Sequence, residues 1–138
     1  PRPADTARWL AERQQPGGGF NGRSDKECDL CYSWWALASL RMLGRSHWVD
    51  AAAAAAFVRA CAARDGGLSH APGQEPDPYH TFFGLCALAL ARAAGGVTPA
   101  ELMDNLGSVD CAFALPLDAV PQWGRGVSRG RGCSPVVL

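Results

Sequence analysis

Residues 18–40 read GGFNGRSDKECDLCYSWWALASL, and residues 66–88 read GGLSHAPGQEPDPYHTFFGLCAL. The two stretches align without a gap, and each residue of the second stands 48 positions after its counterpart in the first. The matched pairs are Gly18/Gly66, Gly19/Gly67, Phe20/Leu68, Asp29/Asp77, Trp34/Phe82, Trp35/Phe83, Leu37/Leu85 and Leu40/Leu88. A period of about 20–50 residues is typical of repeat proteins, whose units bury their apolar faces against one another. This spacing therefore predicts a repeat architecture.

Each repeat is predicted to contain a buried helix followed by a more exposed one. Asp77 and Pro78 indicate a helix start, because aspartate accepts hydrogen bonds from free backbone N–H groups and proline at the first position loses no bond. The predicted helices cover residues 5–15, 29–43, 48–64 and 79–93. The second and fourth are apolar nearly all round, as expected of helices buried on two sides. Their alternation with more exposed helices predicts an all-α fold, an α/α ring or solenoid.

The repeats are expected to be part of a longer protein. The chain begins at Pro1, and two to three units are too few to close a ring or to form a stable array with caps. We therefore predict that residues 1–120 are repeats of a larger α/α structure. Residues 121–138 are rich in glycine and arginine and lose the periodicity, so they are predicted to form a flexible tail.

Composition excludes several classes of protein. The 138 residues are 48% hydrophobic, and 13 Lys+Arg balance 13 Asp+Glu, so nothing favours binding to nucleic acid or to an acidic membrane surface. No apolar run reaches the roughly 20 residues of a membrane-spanning helix. Six cysteines without an export signal indicate reduced thiols and a cytoplasmic location rather than a disulfide framework.

Three potential metal ligands are predicted to converge where the buried helices begin. Asp29 and Cys31 lie at the start of one such helix and His80 lies at the start of the next, and equivalent helix ends are neighbours in a helical repeat. Aspartate, cysteine and histidine bind zinc, and three protein ligands with an open fourth position are typical of catalytic sites. The helix N-terminus and the cation would both favour the Cys31 thiolate.

Each of these residues also has an ordinary structural interpretation. Asp29 could simply cap its helix, which would leave it fewer lone pairs for a metal. Cys31 could be a small buried apolar residue, and His80 could be a hydrogen-bonded core histidine. Cys28 and Cys31 form a C-x-x-C pair, but the second pair of a zinc ribbon and the βαβ setting of a thioredoxin-like site are both missing.

The loop before Asp29 is a candidate anion site. Arg23 and Lys26 precede the helix start, and Tyr32 could donate a further hydrogen bond, so that the group would suit a phosphate or diphosphate. One turn deeper, an aromatic wall would suit an apolar chain; its predicted members are Trp34, Trp35, Phe82 and Phe83. The alternative is a solvated loop above an aromatic core.

Three segments together resemble a known family. They are residues 17–23 (GGGFNGR), 26–35 (KECDLCYSWW) and 77–84 (DPYHTFFG), and they are similar to the β subunits of protein prenyltransferases. Within that family the tryptophan pair after Cys-Tyr-Ser, and Asp-Pro-Tyr-His-Thr, most resemble the Rab geranylgeranyltransferase (type II) class. The resemblance runs from about Trp9 to Val120.

The resemblance implies a fold and a site. The fold would be an α/α toroid (an α6–α6 barrel), of which this chain would be the incomplete C-terminal portion. Asp29, Cys31 and His80 would be the catalytic Zn²⁺ ligands. Three residues would bind the diphosphate of geranylgeranyl diphosphate and a fourth would line the isoprenoid cavity; these substrate-binding residues are Arg23, Lys26, Tyr32 and Trp35.

The resemblance also implies partners and leaves alternatives. A prenyltransferase α subunit would complete a heterodimer, and the protein substrate would be a Rab GTPase presented by Rab escort protein. The alternatives are a β subunit of farnesyltransferase or of type I geranylgeranyltransferase, or a truncated fragment that binds without catalysis. A terpene cyclase would need an Asp-rich acid motif, which the sequence lacks. The isolated chain is expected to be inactive.

Overall fold

The described structure, a computed structural model, covers residues 2–95, 107–117 and 119. Within these ranges the regular elements are helices: α1 (Pro3–Ala11), α2 (Leu30–Met42), α3 (Ala51–Ala60) and α4 (Pro78–Ala93), with a 3₁₀ turn (Ser46–Trp48) before α3. The all-α prediction is therefore confirmed. The tail, residues 121–138, lies outside the described residues, so its flexibility stays a prediction.

Aspartate side chains define three of the helix starts. Asp29, Asp50 and Asp77 are the N-cap residues of α2, α3 and α4, and each accepts a hydrogen bond from a backbone N–H of the first turn. Such a cap satisfies one of the N–H groups that lack a partner within the helix. The predicted starts of α2 and α4 are thereby confirmed.

The two more exposed helices are shorter than the sequence pattern predicted. The helix predicted over residues 5–15 ends at Ala11, and the one predicted over residues 48–64 covers only Ala51–Ala60. The reason lies in the loops that follow. Short antiparallel bridges join Gln14 to Phe20 and Ala62 to Leu68, so the chain must leave the helix to turn back on itself.

The two glycine-led loops have the same backbone hydrogen bonds at the offset of 48 residues. Each loop turns back towards the helix that precedes it and forms a single antiparallel bridge with the residues before the turn. It then continues to the aspartate that caps the next helix. The matched bonds are Gln15 N to Gly19 O and Ala63 N to Gly67 O, Asn21 N to Arg13 O and Ser69 N to Cys61 O, and Asp29 N to Phe20 O and Asp77 N to Leu68 O. The repeat seen in the sequence is thus a repeat of backbone structure.

A third loop of the same kind lies at residues 108–117, which the sequence analysis did not detect. Val109 and Pro116 form the antiparallel bridge, and Leu117 N donates to Ser108 O over 3.0 Å. The loop lacks the glycine pair, and Ala114 takes a positive φ of 53° at its turn. Asp110 caps this turn, since its carboxylate accepts from the backbone N–H groups of the two residues after Cys111.

The core lies where α2 packs against α3 and α4. Leu30, Trp34 and Leu37 of α2 are buried there together with Val58 and Leu90 of the neighbouring helices. Trp34 was predicted to belong to an aromatic wall that contacts an apolar ligand. This prediction is wrong, because Trp34 lies in the core and is only 4% exposed. Successive residues of a helix point about 100° apart, so only one tryptophan of the pair can face the core.

An aromatic stripe remains exposed along α2 and α4. Trp35 is 49% exposed and Phe82 is 45% exposed, and both are in ring contact with the half-buried Phe83. The prediction that these helices are buried on two sides is confirmed, since α2 packs against α1, α3 and α4, and α4 packs against α2 and α3, but each helix also keeps an exposed aromatic face.

The described residues also bear on membrane insertion and on disulfides. Among them, no helix has the length and apolar character needed to cross a membrane. The five cysteines that they include form no disulfide with one another.

Candidate metal centre and anion cleft

Three side chains predicted as metal ligands meet at two neighbouring helix starts. Asp29 caps α2, Cys31 lies in the first turn of α2, and His80 lies in the first turn of α4. One atom of each, a carboxylate oxygen, the cysteine Sγ and a ring nitrogen, lie within 4.8 Å of one another. The structure therefore brings together the residues that the repeat spacing predicted to converge.

Backbone and side-chain hydrogen bonds hold the two helix starts in this arrangement. The Leu30 N–H, at the first position of α2, donates to the carbonyl of His70 in the second loop over 2.8 Å. The same loop is fastened to α4, because the Leu68 N–H donates to Thr81 Oγ1, also over 2.8 Å. The loop thus connects the end of α2 that carries Asp29 to the end of α4 that carries the histidine.

His80 is oriented by Asp77, a role that the sequence analysis missed. The Asp77 carboxylate caps α4 through the backbone N–H of His80, and its second oxygen lies 2.6 Å from His80 Nδ1. These two interactions, the backbone bond first, hold the pKa of Asp77 below its usual value. An ionised carboxylate can only accept, so Nδ1 carries a proton and Nε2 faces the other way.

The Nε2 of His80 faces Asp29 Oδ1 at a distance of 3.2 Å. A lone pair and a carboxylate oxygen repel at that separation unless a proton or a metal ion lies between them. Two donor atoms on one tetrahedral zinc lie about 3.4 Å apart, given bond lengths of about 2.0–2.2 Å. The separation therefore fits a shared metal ion, and a histidine held by a carboxylate at its other nitrogen is the usual arrangement in such sites.

Asp29 caps its helix and still directs an oxygen lone pair at the cluster, so capping and metal ligation do not exclude each other. Its Oδ1 accepts from the Cys31 N–H over 3.0 Å and is the same atom that faces His80. A carboxylate oxygen has two lone-pair directions, so the helix cap uses one of them and leaves the other directed at the cluster.

Cys31 is a protonated thiol in the metal-free chain. Burial, followed by the hydrogen bond and negative charge of Asp29, raises the pKa of Cys31 to about 12. The helix N-terminus alone therefore does not ionise this thiol, contrary to what its position suggested. A bound cation would reverse the balance, and because the thiol must then lose its proton, metal affinity would rise with pH.

A cleft of about 590 Å³ opens beside the three candidate metal ligands, Asp29, Cys31 and His80. Arg23, Lys26 and Tyr32 line it together with Asp29, so the three residues predicted to bind a diphosphate share one opening. Carboxylates also line the cleft; besides Asp29 they are Asp25 and Glu27. The remaining wall includes His70, a residue of the second repeat that the sequence analysis did not single out.

Trp35 lies on a separate, apolar cleft of about 220 Å³. Trp9 and Ala36 also line this cleft, and Gly22 and Tyr32 line both clefts. A Cβ on Gly22 would overlap the Tyr32 ring, so only glycine allows the loop to lie against that ring. A polar head group in one cleft and an apolar chain in the other would meet at Tyr32.

Comparison with known proteins assigns the chain to a family. The model of the prenyltransferase alpha-alpha toroid domain matches residues 2–115. The chain is 39% identical over 109 residues to geranylgeranyl transferase type-2 subunit beta of Saccharomyces cerevisiae, covering 78% of this chain and 30% of that protein. It is 42% identical over 113 residues to geranylgeranyl transferase type-2 subunit beta 1 of Arabidopsis thaliana, covering 81% and 32%.

A type-1 protein is also similar. The identity to geranylgeranyl transferase type-1 subunit beta of Arabidopsis thaliana is 38% over 113 residues, which is 82% of this chain and 28% of that protein. The chain thus spans about a third of the length of the curated relatives that it matches. The predicted fold class is confirmed, and the described helices are a portion of the toroid. This chain belongs to the prenyltransferase alpha-alpha toroid family, and its relatives are β subunits of protein prenyltransferases.

Proposed function

We propose that this chain is part of the catalytic β subunit of a type II protein geranylgeranyltransferase. The enzyme transfers a geranylgeranyl group from geranylgeranyl diphosphate to C-terminal cysteines of Rab GTPases and forms a thioether. The observation that carries the proposal is the convergence of Asp29, Cys31 and His80 beside a cleft that bears Arg23 and Lys26. The type-2 β subunits among the relatives support the choice of prenyl group.

Asp29, Cys31 and His80 would hold Zn²⁺ and leave a fourth position for the substrate cysteine. When bound, the ion supplies positive charge that lowers the pKa of the incoming thiol. Asp77 keeps the His80 Nε2 lone pair directed at the site by holding the proton on Nδ1. The three side chains thereby fix the position at which the sulfur meets the prenyl donor.

The cleft residues act on the leaving group. In the transfer, the substrate thiol first loses its proton to solvent; its thiolate sulfur then forms a bond to C1 of the prenyl group, and the C1–O bond breaks with its electron pair remaining on the diphosphate. Arg23, Lys26 and Tyr32 would donate hydrogen bonds to the diphosphate oxygens as that charge increases. Trp35, half exposed on the adjoining apolar cleft, would contact the isoprenoid chain.

Residues 1–120 would be the C-terminal repeats of the subunit, and the remaining cavity wall would come from other repeats of the same protein. A prenyltransferase α subunit would form the heterodimer, as the β-subunit relatives imply. The Rab substrate would arrive bound to Rab escort protein.

A transfer assay tests the proposal. The full-length subunit, purified with its α partner, is expected to prenylate a Rab protein in the presence of escort protein, and to use geranylgeranyl diphosphate in preference to farnesyl diphosphate. The measurement is incorporation of labelled prenyl group into the Rab and into a control protein that ends in a C-a-a-X sequence. Transfer to the control protein instead, without escort protein, would establish the type I or farnesyltransferase alternative, which the type-1 relative supports.

Asp77→Asn tests the orientation of His80. Asparagine caps helices about as well as aspartate, but it does not provide the carboxylate that holds the Nδ1 proton. We expect zinc affinity to fall about 10–100-fold, the usual effect of losing such a partner. The measurement is competition for zinc with a chelator of known affinity.

Asp50→Asn is the matched control for this substitution. Asp50 caps α3 by the same kind of bond, to the N–H of Ala53, and is not one of the three clustered residues. Zinc affinity should remain at the wild-type value. Equal zinc affinities in the Asp77 and Asp50 variants would contradict the role given to Asp77.

A further inference from the structure

We propose that His70 is a further diphosphate-binding residue of this site, and this inference rests on the proposed function. Of the residues that line the described cleft, His70 is the one that lies outside the loop and helix start at residues 22–32. Its side chain is exposed, and its ring centroid lies 5.8 Å from that of His80. His70 thus lies beside the candidate metal ligand His80 and lines the same cleft as Arg23 and Lys26.

The backbone at His70 is fixed more firmly than an exposed loop residue requires. Its carbonyl accepts the hydrogen bond from the Leu30 N–H. The preceding residue, Ser69, is buried, and its hydroxyl oxygen lies 2.6 Å from the carbonyl oxygen of Ala71 and 3.0 Å from that of Cys61, so that its one O–H donates to either carbonyl. His70 is therefore held on both sides, so its imidazole projects from a rigid backbone at the rim of the cleft.

This connection between repeats is specific to the site. Leu30 corresponds to Pro78 at the offset of 48 residues, and proline has no N–H to donate. The bond that joins α2 to the second loop thus cannot recur between α4 and the third loop. The hydrogen bond between the Leu30 N–H and the His70 carbonyl therefore occurs at the junction of repeats where His70 lines the cleft.

The charges of the cleft explain why another donor is useful. Arg23 and Lys26 share the wall with three carboxylates, those of Asp25, Glu27 and Asp29. A diphosphate carries several negative charges and needs hydrogen-bond donors around it. Each of its oxygens that leaves water for the cleft without gaining a hydrogen bond raises the free energy of the complex. An imidazole N–H from the second repeat would meet the diphosphate from a wall that Arg23 and Lys26 do not occupy.

The test compares substitutions in the full-length subunit with its α partner. His70→Ala is expected to weaken binding of geranylgeranyl diphosphate and of inorganic diphosphate by about tenfold each, the effect of losing one hydrogen bond to a charged group. His70→Gln keeps an N–H donor and should recover part of the loss. Binding of geranylgeraniol, which lacks the diphosphate, and the zinc content should not change.

Two further variants make the result decisive. Arg23→Gln should weaken diphosphate binding, and Gln74→Ala, in the same loop as His70 but away from the cleft lining, should leave it unchanged. If Arg23→Gln weakens binding and His70→Ala does not, the inference is wrong while the proposed function stands. Loss of zinc, or an equal loss of geranylgeraniol affinity, in His70→Ala would also overturn it. If the wild-type protein binds no geranylgeranyl diphosphate, the proposed function fails and the inference fails with it.

Discussion

His80→Ala and Cys31→Ser should each remove the bound zinc from the full-length subunit and lower kcat/KM for transfer by more than about a thousandfold. Each variant leaves two of the three clustered ligands, and the fourth coordination position must stay open for substrate. A catalytic metal contributes several kcal/mol to transition-state stabilisation, and each 1.4 kcal/mol is about tenfold in rate. Elemental analysis after dialysis gives the zinc content, and circular dichroism checks that helicity is retained.

The chain offers a matched control for each substitution. His47→Ala removes an exposed histidine next to Trp48, and Cys86→Ser changes a buried thiol in α4 that contacts the Ala114 carbonyl. Neither residue is one of the three candidate metal ligands, so both variants should keep one zinc per subunit. Unchanged zinc in His80→Ala or Cys31→Ser would reject the ligand assignment. Zinc loss in the controls would show that the metal responds to general destabilisation.

The repeat was predictable because its signals are local. The glycine pairs, the aspartate caps and the Asp-Pro helix start each act within a few residues, and the structure has the same hydrogen bonds at the same offset. The third loop has corresponding backbone bonds with one more residue in its turn, and Ala114 takes the positive-φ position, so no glycine pair indicated it in the sequence. Sequence signals thus identified the loops in which glycine solves the backbone problem and missed the one in which alanine does.

The part of the candidate site that depends on the positions of the helix ends was predictable from the sequence. Equivalent helix ends are neighbours in a repeat, which brings Asp29, Cys31 and His80 together. The orientation of the imidazole depends on the Asp77 side chain, whose second oxygen could equally have faced solvent. The exposure of Trp34 and Trp35 depends on how α2 is rotated against its neighbours, which a helix apolar nearly all round does not specify.

Gly18→Ala should be among the most destabilising single substitutions in these repeats. Gly18 has a φ of +85°, which costs an L-residue about 1–2 kcal/mol. Its new Cβ would also overlap the backbone carbonyl of Ala53 in α3. The helix cannot easily move away, because the Gln14 amide donates to the Asp50 carbonyl over 2.7 Å and accepts from the Asp50 N–H over 2.8 Å. We expect a total loss of about 2–5 kcal/mol, with the clash adding to the strain.

Gly66→Ala separates the two contributions, because Gly66 is the repeat counterpart of Gly18. It has a φ of +107°, but nothing lies within 4 Å of the position that a Cβ would take. This variant should therefore lose only the backbone strain, about 1–2 kcal/mol. Thermal unfolding of the full-length heterodimer should give a clearly lower Tm for Gly18→Ala than for Gly66→Ala. Equal Tm values would mean that α3 can shift to accept the added methyl group. The two hydrogen bonds between the Gln14 amide and Asp50 would then contribute little to the rigidity of the loop that leads to Asp29.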